Sequence, residues 1–139
     1  MNFAALILEA AQANPSRTAL VAPRWVRGEI AAVERVDYAE FLHRVSGWQN
    51  ALRLAGLTAG DRVVLIVPPS LALYALFTAL LALGVVPVLF ERGMSRHRIA
   101  ASLRASGARA VIGERSTLRL WWLFPPLWRM CALNPLPEN

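Results

Sequence analysis

The chain of 139 residues contains no lysine, so all 15 of its basic groups are arginine. That absence excludes a phosphate-loop lysine, a Schiff base and a lysine-assisted adenylation from these residues. Cysteine is almost as scarce. Cys131 stands alone, so no internal disulfide can form, and no metal-ligand spacing surrounds it. A reducing, cytoplasmic setting fits this usage. Acidic residues number 9, which leaves a net charge of +6. The arginines are nevertheless scattered from Arg17 to Arg129 with no aromatic platform between them, the pattern of a solvated surface and not of a nucleic-acid interface. No Gly-x-Ser-x-Gly elbow occurs and no segment repeats. The N-terminus lacks the basic start of a secretory signal.

Charge is also missing from the whole stretch Val63–Phe90, which raises the question of a membrane span. Pro68, Pro69, Gly84 and Pro87 divide the run. The helix left between them has about 14 residues, or about 21 Å, against a hydrocarbon core of about 30 Å. The expected structure is a buried strand, helix and strand, flanked by Asp61-Arg62 and Glu91-Arg92. Hydrophobic residues make up 56% of the chain, enough for a real core in one domain.

The rest reads as a regular alternation. A helix is expected over Phe3–Ala13, with Phe3, Ile7 and Ala10 on one face and Asn14-Pro15 ending it. Thr18–Ala22 and Ala32–Val36 read as the strands of a hairpin around a polar loop containing Gly28. Asp37-Tyr38-Ala39-Glu40 has a capping-box arrangement, and Phe41, Val45, Trp48, Leu52 and Ala55 form one helical stripe that Gly56 stops. A strand follows Gly60-Asp61. Ser70 then caps a helix, Gly84 stops it, and Val85–Phe90 is the next strand. Ser95 should cap a last helix with Ile99 and Leu103 inward and Arg96, Arg98 and Arg104 outward. Gly107 ends it before the strand Arg109–Gly113. The fold class is α/β: a partial parallel sheet of about three strands flanked by helices, with an antiparallel hairpin beside it.

The order of elements and the residues at their joints resemble the N-terminal part of the AMP-forming acyl-CoA synthetases, in the adenylate-forming superfamily. The matching segments are Val36–Phe41, Leu57–Val63, Pro68-Pro69-Ser70, Leu83–Val88 and Gly107–Gly113, in family order over residues 3 to 114. The resemblance implies activation of a carboxylic acid by ATP through an acyl-adenylate, with ATP, magnesium and CoA as the family's cofactors. The Gly93-Met94-Ser95 turn before a basic helix looks most like the branch acting on fatty-acyl or β-hydroxy-acyl substrates. There are departures. Pro69 stands where the family commonly has Asn, and Glu91-Arg92 where an Asn or Asp followed by Pro usually ends the strand. Beyond about residue 114 the resemblance fades, which divides the chain into a synthetase-like part, 1–114, and a Trp/Pro-rich tail, 115–139. The family's phosphate-cradling loop, ribose-holding acid, magnesium-linked Glu and adenylation lysine have no counterpart here. The chain alone is therefore expected to bind no cofactor and to be inactive, a second chain or further domain supplying the ATP site. Alternatives are a non-catalytic remnant or partner-binding subunit, and a small membrane-associated protein.

Candidate site residues are few. Arg92, Arg96, His97 and Arg98 cluster at a helix N-terminus, where amides and guanidinium groups can receive a phosphate. The resemblance places this turn near the nucleotide end of CoA, so these four are the candidate CoA phosphate contacts, with a solvated basic turn as the alternative. His43 lacks a carboxylate at triad-like spacing and reads as a boundary residue. Ser46, Ser70 and Ser95 fit helix or capping roles, and Phe41 and Trp48 fit the core. In the tail, Trp121, Trp122, Phe124 and Trp128 lie among Arg115, Arg119 and Arg129. They suit peripheral membrane contact, through Trp121, Trp122 and Trp128 above all, or packing against protein elements outside this sequence.

Overall fold

A computed structural model of the chain describes residues 3–90, 94–113, 119 and 131–133. Arg92 and the four tail aromatics, Trp121, Trp122, Phe124 and Trp128, lie outside the described residues. The chain divides into two units, one of residues 1–58 with 68–84 and one of residues 59–67 with 85–139. The α/β class, the antiparallel hairpin and the parallel sheet are all as the sequence leads one to expect.

In the first unit, α1 (Phe3–Ala13), α2 (Tyr38–Leu54) and α3 (Leu71–Ala82) pack on one another, and α2 and α3 also pack on the hairpin of β1 (Thr18–Val26) and β2 (Glu29–Asp37). Helix α1 has the expected bounds but not the expected face. Ala4 and Ala11 are buried, Ile7 is half-buried and Phe3 is 58% exposed. Small alanines let α1 lie close against α2 and α3, whereas the ring of Phe3 sits one residue outside that stripe.

The hairpin runs further than Pro23 suggests. Both strands of a two-stranded ribbon are edges, so a proline costs little there, and β1 continues through Pro23 to Val26 with a register irregularity after Arg24. The expected polar loop is a two-residue turn, Arg27-Gly28, with φ of 53° and 85°. Two positive φ values in succession are the hairpin turn whose twist matches its strands.

Asp37 caps α2 as its spacing predicts, its Oδ1 accepting from Glu40 N at 2.9 Å. Phe41, Val45, Trp48 and Leu52 form the buried stripe. Helix α3 is apolar almost all round and buries Leu71, Ala75, Leu76, Thr78, Ala79 and Leu80. Thr78 satisfies its hydroxyl by donating to Tyr74 O at 2.9 Å. With 12 residues α3 is shorter than expected, and no described helix is long and apolar enough to cross a membrane.

The second unit is a parallel sheet in the order β4-β3-β5-β6, made by β3 (Arg62–Ile66), β4 (Val86–Leu89), β5 (Ala110–Gly113) and β6 (Cys131–Leu133), with α4 (Arg96–Ser106) crossing from β4 to β5. The sequence reading has no β6. Cys131-Ala132-Leu133 pairs with Ala110–Ile112, so the described sheet has four strands instead of about three. Three residues carry too little periodicity to announce a strand; only a neighbour's open edge makes one. Leu103 of α4 meets Val64 and Val111 of the sheet in a buried cluster that Ile66, Val88, Phe90, Ile99 and Ala108 border. Burying Leu103 alone is worth about 1.5–3 kcal/mol, which fixes the helix on its face of the sheet.

Candidate functional site

Parallel strands share one carboxyl end, and in open α/β sheets ligands gather beyond it. Since α4 follows β4, its first turn begins past that end, and Ile99 of that turn packs against the Val64, Leu103 and Val111 cluster. Ser95 starts the helix, its Oγ accepting from Arg98 N at 3.4 Å. The first turn then exposes Arg96, His97 and Arg98 to solvent and contains no acidic residue.

A helix N-terminus carries about half a positive charge. Cations placed there add to that positive potential, which favours an anion. The structure thus brings Arg96, His97 and Arg98 onto one turn, as expected, while Arg92 falls outside the described residues. Their arrangement can attract a phosphate or a carboxylate. Among the described residues no group of His, Cys, Asp and Glu could hold a metal ion.

The other candidates resolve simply. His43 and Ser46 are exposed on α2, whereas Phe41 and Trp48 are core. Ser70 caps α3, its Oγ accepting from Leu73 N at 3.2 Å and donating to Pro68 O at 3.0 Å.

Two arrangements escape sequence reasoning. At the amino end of the sheet Arg62 Nη1 donates to Ser106 O at 2.9 Å, and Arg109 Nη1 pairs with Asp61 Oδ2 at 2.8 Å. In the first unit Trp25 Nε1 donates to Pro69 O at 2.6 Å. Each joins residues more than forty positions apart, and no local pattern announces such a pair.

Comparison with known proteins agrees with the fold. The model of the family described as AMP-binding enzyme matches residues 7–134. Pyochelin synthase PchD of Pseudomonas aeruginosa is 36% identical over 112 residues, which are 81% of this chain and 19% of that protein. Acetyl-coenzyme A synthetase of Burkholderia lata is 36% identical over 80 residues, 58% of this chain and 12% of that one. The Klebsiella oxytoca NpsA N-terminal subdomain, solved with 3-hydroxyanthranilyl-AMSN, superposes with a TM-score of 0.77 at 24% identity, covering 96% of this chain and 31% of that one. The chain spans about a fifth or less of the length of these two curated relatives.

Proposed function

The chain belongs to the AMP-binding enzyme family, corresponding to the N-terminal part of an adenylate-forming ligase, and from that premise we propose that it is the scaffold portion of an enzyme that activates a carboxylic acid. In that reaction a carboxylate oxygen attacks the α-phosphorus of ATP, pyrophosphate leaves and an acyl-adenylate remains. The observation that carries the proposal is the family match over residues 7–134, nearly the whole chain. What these residues contribute is a positioned parallel sheet with the first turn of α4 beyond its carboxyl end. The phosphate cradle and an adenylating lysine come from polypeptide outside this sequence, because no lysine exists within it.

Within that reading Arg96, His97 and Arg98 receive a phosphate of the thiol-bearing nucleotide, CoA, and the acid is fatty-acyl or β-hydroxy-acyl. Met94-Ser95 and the basic first turn of α4 support this finer assignment, in which the chain acts in the cytoplasm. The test is acid-dependent exchange of pyrophosphate into ATP. The isolated chain should give none with any acid, and addition of the completing polypeptide should give exchange that favours fatty acids over aromatic acids and acetate. Exchange by the chain alone overturns the scaffold role, and a preference for aromatic acids or acetate overturns the finer assignment.

A further inference from the structure

The corner between β3 and α3, Pro68-Pro69-Ser70, has an unusual account of its hydrogen bonds. Two of its three residues are prolines and bring no N–H. Ser70 turns inward on both sides, donating to Pro68 O at 3.0 Å and accepting from Leu73 N at 3.2 Å. The remaining proline carbonyl, Pro69 O, accepts from the indole of Trp25 at 2.6 Å, across 44 positions of sequence. Trp25 lies three residues before Gly28, in the half of β1 beyond the register irregularity at Arg24. Thus the far half of the hairpin reaches the corner through the indole N–H of Trp25.

We propose that Trp25 is the positioning residue of the β3–α3 corner, a latch that holds the hairpin tip and the first turn of α3 as one element. The latch lies within the first unit and does not rest on the family reading. A short bond to a carbonyl that lies outside any ladder is worth a threefold to about tenfold change in local opening.

The test is amide hydrogen exchange on the full chain with Trp25 replaced by β-(3-benzothienyl)alanine, which keeps the bicyclic shape and puts sulfur in place of N–H. Exchange should quicken threefold to about tenfold at Leu73, Tyr74 and residues 25–30, and stay unchanged at Val45–Leu52 in α2. Trp25→Phe, which removes the donor with a smaller ring, should show the same pattern. Unchanged exchange at Leu73 and Tyr74 overturns the latch, as does a rise spread equally through α2, which would make Trp25 an ordinary packing residue. Neither outcome bears on adenylation, so failure of the latch and failure of the family reading remain distinct.

Discussion

The two ends of α4 carry the same sign of charge and opposite consequences. At the C-terminus, Gly107 adopts the left-handed conformation with φ of 60°, and Arg62 donates to the carbonyl of Ser106. A cation there meets the negative end of the helix dipole and an otherwise orphaned carbonyl. At the N-terminus, Arg96 and Arg98 lie at the positive end, in a first turn that holds no acidic residue. One end is built to hold the helix. The other gives up a few tenths of a kcal/mol and gains a positive potential.

The comparison presumes that α4 is anchored by its apolar face, and the largest expected effect tests that. Leu103→Ala should destabilise the chain by about 2–5 kcal/mol, read as a shift of the urea midpoint, because it empties the contact with Val64 and Val111. A loss below about 1 kcal/mol would mean that the helix is held by its ends. Gly107→Ala comes next, at about 1 kcal/mol. An added Cβ would meet Arg62 Nη1 at an ordinary 3.5 Å, so the cost is the left-handed backbone and not a clash. Arg62→Ala should cost about 1 kcal/mol for the lost bond to Ser106 O, and Arg62→Lys should recover only part of it.

The smallest effect has the opposite sign. Arg98→Glu should stabilise the fold by about 0.3–1 kcal/mol at low salt, since it places an anion beside the helix N-terminus, and the gain should fade as salt is added. The same change should weaken inorganic pyrophosphate binding, measured by calorimetry on the chain. Destabilisation at low salt would mean that Arg98 makes a structural contact, and the contrast between the two ends would collapse.

Much of this was legible beforehand because it is local. Asp37, Ser70 and Ser95 were readable as caps from their place before apolar periodicity, and all three make the expected bond. The stripe Phe41, Val45, Trp48 and Leu52 follows from the helical period alone. Helix α1 was harder, since alanine and aromatic positions compete for its inner face and the neighbouring helices decide between them. The hairpin was underestimated because Pro23 reads as a breaker unless the strand is known to be an edge. For the site, Arg96, His97 and Arg98 were visible as a basic cluster after a cap. That Ile99, in the same turn, packs against Val64 and Val111 on neighbouring strands was not.

By itself the sequence determined the types and order of the elements from α1 to β5, the missing lysine chemistry and the placement of three helix caps, because each depends on residues within a few positions of one another. Tertiary structure alone decided the strand order β4-β3-β5-β6, the making of β6 from three residues, and the pairing of Arg62 with Ser106, Asp61 with Arg109 and Trp25 with Pro69. The physical reason is one of range. Helical period and cap chemistry are settled within a turn or two of chain, whereas a strand partner or a long-range donor is chosen only when packing brings distant backbone within about 3 Å.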